Sequence, residues 1–140
     1  MRRLFCLLGC LLTHNAIAAD HVLDARLMLA SNSAALPTQP GLQGVVQQFA
    51  SQGVRSAVVL DNAHGVERAN LAAYDRKVDV HIATLSANRA RVVVDVQTES
   101  RTKKIALEIP KNRDVLIGIG RTADGLIVAS VHVKAHLDAR

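Results

Sequence analysis

From Val22 onward the chain is written in short runs of alternating hydrophobic and polar positions. In Val22–Ala30 (VLDARLMLA), Leu23, Ala25, Leu27 and Leu29 share one face and Asp24 and Arg26 take the other. That is the two-residue period of a half-buried strand. The leucines, alanines and methionine of this run also suit a helix, so its assignment to strand rests on period rather than propensity. Ser31–Gln39 is a polar connection containing Pro37.

One segment breaks the two-residue pattern. In Pro40–Gln52, Leu42, Val45, Val46 and Phe49 fall at i, i+3, i+4 and i+7, a continuous helical stripe, and Gln43, Gln47, Gln48 and Ser51 occupy the wet face. Thr38 or Gln39 can cap this helix, Pro40 fits its first turn, and Gly53 stands where a C-terminal cap belongs. The stripe predicts that the helix lies on a sheet.

After Gly53 strand chemistry resumes. Val54–Leu60 is rich in valine and runs into Asp61-Asn62, a turn signal. Val66–Tyr74 fits either strand or irregular structure. Val78–Leu85, Ala90–Val96, Ile105–Ile109, Val115–Gly120 and Leu126–Val133 follow, separated by polar turns that include Ser86–Arg89, Pro110–Asp114 and Ala123-Asp124-Gly125. The Asp-Gly pair suits the positive-φ positions of a tight turn. Strands at this spacing predict an α+β fold: mainly antiparallel β-sheet, a sandwich or curled meander, with one amphipathic helix packed on it.

The first residues follow a different logic. Arg2 and Arg3 precede an apolar run of nine residues, Leu4–Leu12, and Ala16-Ile17-Ala18 offers small residues at both positions a signal peptidase reads. Nine residues rise only about 14 Å as a helix, too short to span a hydrocarbon core of about 30 Å. Residues 1–18 therefore read as a cleavable signal peptide cut after Ala18, with Ala19 the neighbouring alternative, and residues 19–140 as a single small β-rich domain. Leu7-Leu8-Gly9-Cys10 resembles a lipobox, which would make the protein a lipoprotein anchored through Cys10. The whole pattern resembles a bacterial export signal and places the protein in the periplasm or outside the cell. No later stretch has the length of a transmembrane span.

Composition then narrows the chemistry. Both cysteines, Cys6 and Cys10, lie in the signal segment, so the mature chain has no disulfide, thiolate nucleophile or sulfur-ligated metal. Beyond that segment Phe49 and Tyr74 are the only aromatic residues. Two scattered rings make no base-stacking platform, so nucleic acid is an unfavourable partner, and sugar stacking is demoted with it. The chain carries a net charge of +5. Residues 20–75 have three basic and five acidic side chains, whereas residues 76–140 have 12 and 7. A positive field on the second half favours anionic partners.

Candidate chemistry is sparse. His132 and His136 on a strand stand about 13 Å apart, too far for one metal with bonds of ~2 Å. Asp79 and His81 share a strand face about 7 Å apart, and a carboxylate orienting a histidine is half of a catalytic triad. Neither Ser56 nor Ser130 sits in a nucleophile elbow, so this pair reads first as solvent-facing polar residues. Gly118-Ile119-Gly120-Arg121 lacks the third glycine and the helix of a phosphate loop and reads as a bulge or a tight crossing. No cofactor, metal site or catalytic residue is expected.

The basic turns remain. In an up-and-down meander alternate turns share an end. Arg89, Lys111 and Arg113 would gather at one end, near Arg91, and Arg101, Lys103, Lys104 and Arg121 at the other, tempered by Glu99 and Asp124. Such tips suit an acidic protein or an anionic envelope component. The expectation is a non-enzymatic exported envelope protein that binds another protein or an envelope component in an accessory or assembly role. The alternatives are a small hydrolase using His81 with Asp79 or Asp95, and an anion-binding module using the basic turns. N-terminal sequencing of exported protein should find Ala19 or Asp20 as the first residue; an acylated Cys10 in that position would show lipoprotein processing instead.

Overall fold

The structure is a computed structural model that describes residues 21–33 and 37–135. The export segment with Cys6, Cys10 and Ala18, and the tail with His136, lie outside the described residues. Eight strands make up most of it: β1 His21–Ser31, β2 Ser56–Val66, β3 Arg68–Ala73, β4 Arg76–Leu85, β5 Arg89–Gln97, β6 Thr102–Pro110, β7 Asp114–Thr122 and β8 Gly125–Ala135. Between β1 and β2 stand a short helix, α1 Gln43–Gln48, and a 3₁₀ turn, Ala50–Gln52.

The strands form two four-stranded antiparallel sheets, β2-β1-β8-β7 and β3-β4-β5-β6. Because β1 pairs with both β2 and β8, the two ends of the domain meet in the middle of one sheet. The strand order then runs around both sheets as an up-and-down ring. Two corners interrupt it, between β2 and β3 and between β6 and β7, where no ladder forms among the described residues. At the first corner Glu67 links the strands in a left-handed conformation (φ 69°), and its carbonyl accepts a hydrogen bond from the Ile82 N–H at 2.9 Å.

The two-residue period places the core. Leu23, Leu27, Val78, Val80, Val92, Val94, Ile127 and Val131 are buried between the sheets with their neighbours of like parity. β1 alternates only as far as Leu27. From there Met28, Leu29 and Ala30 are all buried, because α1 covers the outer face of that end of the sheet. Leu42, Val45 and Phe49 pack there with Met28, Ala30, Val54, Ala57 and Val128, and Val46 is half-buried at the margin. The stripe read from the sequence therefore does face a sheet.

The helix is much shorter than Pro40–Gln52, however, and helical structure is a minor part of the fold. Pro40 and Gly41 form a turn, with Gly41 at φ 88°, and no side chain caps the helix N-terminus at Leu42. Gln39 is otherwise engaged: its N–H donates to the Ala57 carbonyl and its Oε1 accepts from the Val59 N–H, which ties the segment to β2. Gly53 ends the 3₁₀ turn in the left-handed conformation, where a C-terminal cap was expected.

Two turn assignments change. Asp61-Asn62 is not a turn; β2 continues through it to Val66 with a bulge opposite Leu27 and Met28. The Asp61 carboxylate accepts from the N–H groups of Asn62 and Ala72, so the side chain ties β2 to the edge strand β3. In the β7–β8 hairpin only Gly125 has positive φ (151°), and Thr122 Oγ1 accepts from the Asp124 N–H. A Cβ at Gly125 would collide with the Ala30 carbonyl, so glycine lets this turn approach β1. The register shift between Gly118 and Gly120 is a bulge, as their spacing implied.

Phe49 is 7% exposed and Gln47 fully on the wet side. Phe49→Ala should lower unfolding free energy by roughly 3–5 kcal/mol, and Gln47→Ala by less than about 0.5 kcal/mol. Chemical denaturation of the two variants checks the seating of α1; equal losses would contradict it.

Candidate functional site

The basic residues divide between the turns and the sheet. Lys111 donates its N–H to the Asn88 carbonyl at 3.0 Å, which joins the β4–β5 and β6–β7 turns, and Arg89 and Arg113 flank that junction. At the other end Arg101 lies in the β5–β6 turn, held by Thr98, whose N–H donates to the Arg101 carbonyl and whose Oγ1 accepts from the Arg101 N–H. Lys103 and Lys104 belong to β6 rather than to that turn. Successive strand residues point to opposite faces: Lys103 pairs with Val96 and Lys104 with Asp95. Arg121 sits on β7, and its carbonyl accepts from the Arg76 guanidinium at 2.9 Å.

The outer face of the β3–β6 sheet is the more organised surface. Val78, Val80, Val92, Val94 and Val96 point inward, which turns Lys77, Asp79, His81, Asp95 and Gln97 outward. Register then lines them up across the strands. One row reads Asn70, Asp79, Asp95, Lys104, and the next reads Arg68, His81, Val93, Ala106. Asp79 and Asp95 are thus direct cross-strand neighbours, an arrangement in which like charges destabilise a sheet. Arg68 offsets part of this, with Nε 3.8 Å from Asp79 Oδ1. The face is dished: a depression of about 690 Å³ is lined by Asp61, Asn70, Lys77, Asp79, Asp95 and Lys104, among others, and His81 stands one row beyond it.

The outer face of the other sheet carries a second polar row: His64, Asp24, His132, Asp114. His132 Nδ1 lies 3.0 Å from Asp114 Oδ1. His132 thus has an acidic partner across the sheet, and His136 lies outside the described residues. Ser130 is on this sheet, paired with Arg26 and Leu116, and the Ser56 hydroxyl donates to the Ser33 carbonyl. Neither serine faces His81.

What the sequence missed is cross-strand. Asp79 and His81 were visible as an i, i+2 pair, but the approach of Asp95 needs the β4–β5 register, which a bulge between Ile82 and Thr84 shifts. Comparison with family models, characterised proteins and solved structures finds no match for this chain. No helix among the described residues is long and apolar enough to cross a membrane.

The two lysines of β6 provide a test of the grid. Lys104→Glu adds a third carboxylate to the Asp79–Asp95 row and should cost roughly 0.5–1 kcal/mol at low salt. Lys103→Glu, opposite Val96, should stay within about 0.5 kcal/mol of wild type. Urea unfolding of both variants at two salt concentrations measures the difference, which should shrink as salt rises; equal effects would contradict the row.

Proposed function

We propose that this chain is an exported, non-enzymatic accessory domain of a bacterial envelope, periplasmic or secreted, that binds an extended segment of a partner protein along the free edge of β6. Support for export is the succession of basic, apolar and small residues from Arg2 to Ala18. Support for strand addition is an accounting of edges. Antiparallel sheets with open corners expose main-chain donors and acceptors that natural proteins cover or distort.

Three of the four edges are treated in this way. Gln39 bonds to β2 at Ala57 and Val59. Asp61 takes the Ala72 N–H of β3. The Gly118–Gly120 bulge breaks the line of β7. β6 is the exception: it pairs with β5 through all nine of its residues without a register shift. Its charges, Lys103, Lys104 and Glu108, and its proline, Pro110, stand toward the two ends. Ile105-Ala106-Leu107 between them is uncharged. This regular edge is the observation that carries the reading. Main-chain pairing requires no special side chains in the domain, which agrees with its paucity of nucleophiles and aromatic rings.

An anion-binding role for the basic turns is the second reading, favoured by the bond that joins the turns of Arg89 and Lys111. Hydrogen exchange on the domain bound to a protein captured from envelope extract separates the two. Under the edge reading, amides of Thr102–Ile109 that exchange freely in the isolated domain become protected, and binding survives both high salt and the Arg101→Glu/Lys103→Glu double reversal. If β6 amides are unchanged and binding is lost on reversal or in high salt, the edge reading fails and the basic turns are the contact.

A further inference from the structure

We propose that Asp79, His81 and Asp95 form a site for one divalent transition-metal cation, with zinc the ion that best matches the donors, on the outer face of the β3–β6 sheet. The site uses side chains of the sheet face and is independent of the β6 edge. Three observations carry it. Register sets two carboxylates directly opposite each other on β4 and β5, a repulsive arrangement that a cation between them would reverse. One donor atom from each of the three side chains lies within 4.8 Å of the other two. Finally, Asp79 Oδ1, His81 Nδ1 and Asp95 Oδ1 are each buried without a hydrogen-bond partner.

The last observation distinguishes this cluster from an ordinary patch of surface acids. Buried polar atoms are nearly always paired, and an unpaired one calls for an explanation such as an ion. Here three occur on adjoining positions, and together they are an imidazole and two carboxylates. Two negative charges balance a divalent cation, and a three-residue N/O set with a further position open to water is typical of zinc. Zinc bonds of ~2 Å at tetrahedral angles hold donors about 3.3 Å apart. The required contraction of at most about 1.5 Å lies within side-chain rotation and leaves the strands in place. Arg68 does not block the site, because 3.8 Å exceeds a hydrogen bond and its side chain is 61% exposed, free to turn into solvent. Lys104, opposite Asp95, is likewise exposed.

Calorimetric titration of the chelator-stripped mature chain with zinc chloride tests the proposal. Wild type should bind one equivalent, and Asp95→Asn and His81→Ala should each weaken binding at least tenfold. His132→Ala, on the opposite sheet, should bind as wild type does. Thermal unfolding of stripped Asp95→Asn at or above the wild-type midpoint would show that its loss of binding is not loss of fold. Imidazole ¹⁵N spectra should show zinc moving the His81 Nδ1 resonance. No binding by wild type at millimolar zinc overturns the proposal. So does wild-type affinity in Asp95→Asn or His81→Ala, or a zinc response confined to His132.

Discussion

The pairing of β1 with β8 is the constraint on which the rest of the structure depends. It joins residues 21–30 to residues 126–135, the two ends of the described domain, through an unbroken antiparallel ladder. Every other ladder among the described residues lies between strands that are neighbours in sequence. Without this contact the chain would be an open meander with one face of every strand exposed; with it, two sheets curl onto one another and share a core. β1 is suited to the role because its second half is buried on both faces, by the opposite sheet through Leu27 and Leu29 and by α1 through Met28 and Ala30. A contact of such long sequence separation also carries the largest loop-closure entropy in the fold, so it is costly to form early.

Closing the core determines what the outer faces can be. Inward valines and leucines at every second position oblige the intervening polar residues to stand outward in register. The cross-strand rows follow from this. On one sheet they bring Asp79 beside Asp95 and His81 into their vicinity; on the other they alternate His64, Asp24, His132 and Asp114. The first arrangement is electrostatically unfavourable by itself and leaves buried polar atoms without hydrogen-bond partners, whereas in the second His132 Nδ1 meets Asp114 Oδ1 at 3.0 Å. That contrast makes the β3–β6 face, rather than the face with more histidines, the place where a cation is wanted.

The ring is also incomplete, and its gaps bear on function. The corner between β2 and β3 is stitched by Glu67 and Asp61, whose bonds to Ile82 and Ala72 replace a ladder. The corner between β6 and β7 is held by its link instead: the N–H groups of Lys111 and Asn112 donate to the carbonyls of Asn88 and Val133. β7 is distorted by its glycine bulge and β6 is regular. Under the proposed strand addition, the regular edge of β6 would supply the main-chain groups. The basic residues of β6 and its turns, which sit around that edge, would steer the approach.

The sequence by itself determined the strand chemistry, the parity of Leu23, Ala25 and Leu27 against Asp24 and Arg26, the shared face of Asp79 and His81, the stripe that seats α1 through Phe49, and an irregularity at Gly118–Gly120. These are local consequences of a period of two, of a period near 3.6 and of glycine's missing Cβ, so they are written in neighbouring residues. It overstated the helix, because Pro40 and Gly41 are claimed by a turn while Gln39 bonds to a strand that follows it in the chain. It also stopped β2 at Asp61-Asn62, a turn signal that the ladder to β1 overrides. Only the tertiary structure decided which strands meet, where bulges shift the register, and hence that Asp95 joins Asp79 and His81 while Lys104 falls opposite Asp95 and Lys103 opposite Val96. Parity is a property of one strand, but registry is a property of two. A shift of one residue between strands reverses facing relationships while leaving each strand's own pattern unchanged.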